Sequence, residues 1–227
     1  MKKNSLENSV NNQIDQMIPV GYSYKEGSIE NGYVIEDSNG NEYVLIPGGY
    51  NTDGEYIRAF WISRYEISRG EEDCPQSIRD KAPWVDINFY DALKVAESIK
   101  GNLISREQYS RICKWLVNSE AATFEQVYDN GIGMGYYSKN YTLEKTGSND
   151  EWKCNNIYDF FGNGYTWTNE KSELYDRDRV IRGGHSISLN GEHCNPPAAR
   201  VGKNPKSKGT NVTFRIVLNA EREEEDN

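Results

Sequence analysis

Helical periodicity stops at Tyr128, although a hundred residues remain. Beyond that point Gly131, Gly133, Gly135, Gly147, Gly162 and Gly164 punctuate a stretch rich in Tyr, Asn and Ser. Such a stretch reads as long loops with sparse short strands, and long loops in a compact domain usually carry function. A loop-built half needs large side chains for its core, and the composition supplies them as aromatics. The hydrophobic fraction is only 36%, but it includes 16 Tyr, 5 Trp and 6 Phe. At 227 residues the chain has room for one large domain or two small ones.

The first half carries clearer local signals. Tyr33-Val34-Ile35 and Tyr43-Val44-Leu45-Ile46 flank Asp37-Ser38-Asn39-Gly40-Asn41, two β-rich runs around an Asn-Gly turn. Pro47-Gly48-Gly49 breaks the chain, and a further β-prone run extends from Tyr56 to Ile67. Phe89, Ala92, Leu93, Ala96 and Ile99 predict a helix ended by Gly101. Ser105 and Gln108 form a capping-box pattern before a second stripe of Tyr109, Ile112, Cys113 and Leu116. Cys113 therefore reads as core, not as a nucleophile. Thr123 and Gln126 repeat the cap pattern for one more short helical turn.

Residues 1–20 are polar, with Leu6, Val10 and Met17 on one stripe and Ile14 beside it. That is under two heptads, so the segment reads as a flexible tether, or else a short docking helix. The folded domain is expected over residues 21–219, followed by an acidic tail over 220–227. No run reaches the length needed to span a bilayer, and no apolar segment follows Met1-Lys2-Lys3, so membrane insertion and a secretory signal are not expected. A net charge of −9 argues against nucleic acid, whose binding rests on neutralising phosphates. Cys74, Cys113, Cys154 and Cys194 contain no CxxC pair, and the only histidines are His185 and His193. That excludes a multi-histidine metal centre and reads as independent thiols.

A set of ordered motifs resembles the sulfatase-modifying-factor, or formylglycine-generating-enzyme, family of the C-type lectin fold. They are Ile46-Pro47-Gly48-Gly49, Tyr65-Glu66-Ile67, Pro83-Trp84-Val85-Asp86-Ile87-Asn88-Phe89, Asn102 to Tyr109, Asn156 to Thr168, Arg182-Gly183-Gly184 and Thr213-Phe214-Arg215. Together they cover about residues 43–218. The resemblance implies an α+β, C-type-lectin-like and formylglycine-generating-enzyme-like domain with two helices, short strands and long irregular loops. It makes Trp167 and Phe214 core residues. It makes Gly183-Gly184 a close backbone approach, and Arg182, Arg200 and Arg215 clamps that tie loops together.

The oxygen-dependent enzymes of that family hold copper on a C-x4-C pair shortly after the Gly-Gly. The corresponding window, His185 to Cys194, has only Cys194, and Cu(I) favours paired thiolates. The family's tryptophan-glutamate pair is also replaced, by Tyr165-Thr166-Trp167-Thr168. The end of the chain is closer to the phage variable proteins diversified by retroelements. Arg182-Gly183-Gly184 is followed by six residues, Gly191, four more, then Pro196-Pro197-Ala198-Ala199-Arg200, Pro205 and Phe214-Arg215. In that family the residues between such framework positions face the ligand. The resemblance assigns this role to His185, Ser186, Ser188, Asn190, Glu192, His193, Cys194 and Asn195, and to Lys206, Ser207, Lys208 and Asn211.

The resulting expectation is a non-catalytic, virion-associated or cytoplasmic recognition protein of a phage or prophage. Its partners would be a host cell-surface protein or glycan and the tail or other virion proteins. The alternative is an oxidase acting on a cysteine of a substrate protein. No cofactor is expected, except that calcium fits the fold family. Asn155, Asn156 and Asp159 offer oxygen ligands, against their reading as turn residues.

Overall fold

The first hairpin forms where its turn chemistry says it should. Asp37 accepts hydrogen bonds from the backbone of Asn39 (2.8 Å) and Asn41 (2.9 Å), and Gly40 takes φ +81°. Around this turn the computed structural model, which describes residues 14–128, 143–184 and 196–220, builds a meander. Its strands are β1 (Tyr22–Glu26), β2 (Val34–Asp37) and β3 (Glu42–Ile46). A short hairpin, β4 (Gly49–Tyr50) and β5 (Tyr56–Ile57), leads into β6 (Phe60–Ser63). A second follows, β7 (Ser68–Arg69) and β8 (Pro75–Gln76).

Helix α1 (Phe89–Glu97) starts at Asn88, whose side chain accepts from the Asp91 amide. Strand β9 (Asn102–Leu103) separates it from α2 (Arg106–Asn118). That helix opens on the full Ser105–Gln108 capping box. The short helix α3 (Phe124–Tyr128) is where Thr123 and Gln126 place it: the Gln126 amide donates to Thr123 Oγ1, and Gln126 Oε1 accepts from the Thr123 amide. The remaining strands are β10 (Lys153–Cys154), β11 (Ile157–Tyr158), β12 (Tyr165–Lys171), β13 (Arg179–Arg182), β14 (Val201–Lys203), β15 (Val212–Phe214) and β16 (Ile216–Asn219).

The main sheet runs β1-β2-β3-β6-β16-β9, so the last strand enters between β6 and β9. The second sheet runs β14-β13-β12-β15, with β12 and β15 parallel and Trp167 level with Phe214. Both faces of the main sheet are covered. On β3, Tyr43 and Leu45 enter one cluster with Trp61, Phe89, Trp167 and Phe214. Val44 and Ile46 enter the other, with Tyr109, Ile112, Cys113 and Leu116. This two-sided burial explains why the sequence shows continuous apolar runs and not alternation.

Two boundaries move. Residues 14–17 form a helical turn, Ile14 and Ile18 are buried in the core, and Trp61 Nε1 donates to the Met17 carbonyl at 2.8 Å. The packed body therefore begins within the segment read as a tether, because two isoleucines four apart join the core cluster that holds Tyr43, Leu45 and Trp61. Ala220 is also buried, so the core includes the first residue assigned to the tail.

Candidate functional site

Residues 185–195 lie outside the described residues, and with them His185, Ser186, Ser188, Asn190, Glu192, His193, Cys194 and Asn195. The frame on either side is described in full. Gly183 and Gly184 take φ +96° and +75°, in the region that favours glycine. A Cβ on Gly183 would lie 3.3 Å from the Phe160 carbonyl. Gly183 accepts from the Gly162 amide at 2.7 Å and donates to the Pro197 carbonyl at 3.0 Å. That carbonyl also accepts from Tyr109 Oη at 2.9 Å, and the Ala198 amide donates to Val127.

Arg182 fixes this frame from below. Its Nε and Nη2 grip Glu170 Oε2 at 3.0 and 2.8 Å, Nη1 donates to the Ala198 carbonyl at 2.7 Å, and the guanidinium lies over the Tyr109 ring. Arg200 joins the network through Glu170 and Glu173. The clamp role expected for Arg182, Arg200 and Arg215 is realised in all three. Two guanidinium donors on one carboxylate oxygen, with the other oxygen facing Arg200, hold Glu170 in a single orientation.

Lys206, Ser207, Lys208 and Asn211 are rooted elsewhere. In β13–β14, Ile181 pairs with Val201 and Arg179 with Lys203, so the loop after Lys203 leaves from the far end of the pair. It docks on the start of α1, where Phe89 donates to the Pro205 carbonyl and Asp86 to that of Gly209. Lys206 and Lys208 are exposed, while Ser207 and Asn211 are half-buried. Lys208 borders an open groove of about 1450 Å³ that also holds Trp84, Cys74 and Asp91.

The residues weighed as calcium ligands are bound to protein groups. Asn155 donates to Ser119 Oγ (2.9 Å), Asn156 donates to Gly32 O (2.7 Å), and Asp159 Oδ2 accepts from the Gly147 amide (2.7 Å). Among the described residues no group of three or more His, Cys, Asp or Glu could hold a metal ion. Cys113 and Cys154 are buried, and burial pushes both thiols up to about 12. Neither has the character of a nucleophile.

Glu66, which has no role assigned from sequence, forms a buried charged cluster with Asp159 and Arg215 beneath the frame. Glu66 accepts from Thr213 Oγ1 (3.0 Å), the Gly164 amide (3.2 Å) and Asn163 Nδ2 (2.5 Å). Burial pushes its carboxyl up to about 8, with the Asp159 charge adding to the rise and Arg215 opposing it. Burial raises Asp159 in the same direction. A carboxyl raised in the folded state takes up a proton on folding, so its stabilisation is complete below the unfolded value and is lost as pH rises. Stability should therefore fall between about pH 5 and pH 8, by at most about 1.4 kcal/mol per pH unit for each carboxyl titrating. Glu66→Gln should flatten that slope in urea unfolding measured across the range. A slope unchanged by the substitution would assign the titration to another group.

Searches by sequence find no matching family model and no matching curated protein. Solved structures do match. PvdO from Pseudomonas aeruginosa superposes with a TM-score of 0.56 at 17% identity, over 86% of this chain and 99% of PvdO. CarF matches with 0.54 at 15%, over 79% and 98%. Treponema denticola variable protein 1 matches with 0.54 at 12%, over 89% and 100%.

The fold is C-type-lectin-like.

It is the α+β architecture shared by formylglycine-generating-enzyme-like proteins and variable proteins, as the ordered motifs implied. Among the described residues no helix is long and apolar enough to cross a membrane.

Proposed function

We propose that this chain is a non-catalytic ligand-binding protein of the variable-protein kind, presenting residues 185–195 on a lectin-like scaffold. The observation that carries the reading is the frame around that segment. Both its ends are tied by Gly183, Pro197, Arg182, Glu170 and Tyr109 into a buried network, which suits a scaffold that must tolerate change between fixed anchors. The fold shared with Treponema denticola variable protein 1 supports it. So does the single cysteine in the window where the copper enzymes carry two. In this reading the ligand is a host-surface protein or glycan and the chain is part of a phage or prophage particle.

Replacing His185, Ser186, Ser188, Asn190, His193 and Asn195 together should change the unfolding free energy by no more than about 0.5 kcal/mol per site, the scale of ordinary surface changes. The same replacement should abolish binding of the labelled protein to host cells, because a few contacts dominate affinity. A collapse of stability with binding retained would refute the proposal. Copper-dependent oxygen consumption with a cysteine-containing peptide would establish the oxidase instead.

A further inference from the structure

The short helix α3 packs directly against the frame. Its Val127 carbonyl accepts from the Ala198 amide, so α3 is bonded to the limb that follows residues 185–195. The Thr123–Gln126 cap fixes the start of the helix. Phe124, its first residue, is 62% exposed. The Phe124 ring leans on that of Tyr128, one turn on, with centroids 4.7 Å apart and planes 35° apart. Tyr128 is half-buried against the core cluster that holds Tyr109 and Cys113. Burial pushes its phenol up to about 12, with the Arg182 charge opposing the rise, so Tyr128 stands beside the arginine clamp. Phe124 is therefore mounted, through Tyr128 and Val127, on the same network that ties both ends of 185–195.

A single exposed aromatic ring is ordinary on a protein surface. Phe124 differs in its setting. Ala121, Tyr128 and Ala198 are partly buried on the same core cluster, and Pro196 is half-buried where the limb begins, so the ring stands in an apolar margin beside the frame. A ring already seated on a neighbour loses little freedom when a partner covers it. The polar groups of the frame are spent on one another: the Gly183 amide and the Tyr109 hydroxyl on the Pro197 carbonyl, Arg182 on Glu170 and the Ala198 carbonyl, and the Ala198 amide on Val127. A sugar carries many hydroxyls, and each needs a partner when it leaves water. An apolar side chain of a protein needs only the ring and the exclusion of water. This margin suits the second.

We propose that Phe124, seated on Tyr128, is a fixed contact for the ligand engaged by residues 185–195, and that it receives an apolar side chain of a protein ligand. This rests on the function proposed above and names the chemistry of its partner. The probes are a random dodecapeptide library selected on the full-length protein and, in parallel, an array of immobilised glycans. Selected peptides are sorted by whether replacing His185, Ser186, Ser188, Asn190, His193 and Asn195 together removes their binding. In the sensitive set a Leu, Ile, Met, Phe or Trp side chain should recur at one position. Phe124→Ala should weaken these peptides at least about tenfold. Phe124→Leu, which keeps an apolar surface, should retain most of the affinity. Alanine favours a helix more than phenylalanine does, and circular dichroism melting should show both variants folded like the parent. Sensitive peptides that bind Phe124→Ala and the parent equally would overturn this inference and leave the proposed function standing. Sensitive binding confined to the glycans would do the same. If replacing the six residues changes neither peptide nor glycan binding, the proposed function falls, and this inference falls with it.

Discussion

Arg215→Met should lower the unfolding free energy by about 3–5 kcal/mol, the range for stranding the partners of a buried charge. Arg215 is fully buried. Its Nη1 donates to the carbonyls of Ser63 (3.1 Å) and Arg64 (3.2 Å), and Nη2 donates to that of Tyr158. One side chain thus ties the end of β6 to β11 from beside β16. Its positive charge also opposes the rise of Glu66 and Asp159. Methionine fills much of the space, but it takes a donor from each of three buried carbonyls, of which that of Arg64 keeps the Tyr158 amide, and it removes the cation beside Glu66 and Asp159. Arg215→Lys keeps the charge and loses the fork, so it should recover only part of the stability. Measured at about pH 9, where the Glu66 carboxyl with its raised value of about 8 would have to ionise, adding Glu66→Gln to Arg215→Met should also recover part of it, because a neutral amide needs no cation nearby. Urea unfolding of five proteins checks this set: the parent, Arg215→Met, Arg215→Lys, Glu66→Gln and the double variant. A loss under about 1 kcal/mol for Arg215→Met, or strict additivity with Glu66→Gln, would show that the cluster is not coupled.

The sequence exposed this scaffold wherever the determinant is local. The capping residues Ser105 and Thr123 each mark a helix start, and Asp37 with Gly40 marks a turn, because the partners lie within four residues. The arginine clamps were legible through the resemblance, which carries long-range information that spacing does not. Glu66 stood inside a quoted motif, yet its role depends on Asn163, Thr213 and Asp159, about a hundred residues or more away in sequence. No periodicity encodes that meeting. Ile14 and Ile18 were hidden for a related reason: in a polar stretch, two isoleucines form no pattern until the core face they pack on is known. Lys206 to Lys208 and the 185–195 segment, grouped together from sequence, spring from opposite ends of the β13–β14 pair, a separation set by strand register.

Trp167→Ala and Phe214→Ala should each cost about 3–5 kcal/mol, the range for emptying a large aromatic site. Both side chains are fully buried and sit level with each other on the parallel strands β12 and β15. Phe89 of α1 meets Trp167 edge-on at 6.0 Å, and Trp84 meets Phe214 at 5.8 Å. The two rings therefore fill the space between the second sheet, α1 and the main sheet, beside Tyr165, Ile181 and Val212. Trp167 Nε1 also donates to the Ile87 carbonyl at 3.1 Å, anchoring the turn that precedes α1. Trp167→Phe should keep most of the packing and lose that bond, at a cost of about 1–3 kcal/mol for the stranded carbonyl and the smaller ring. Because the two sites touch the same cavity walls, the double alanine variant should cost less than the sum of the singles. Chemical denaturation measures all four. A change within about 0.5 kcal/mol for either alanine variant would mean that the ring is not part of the core.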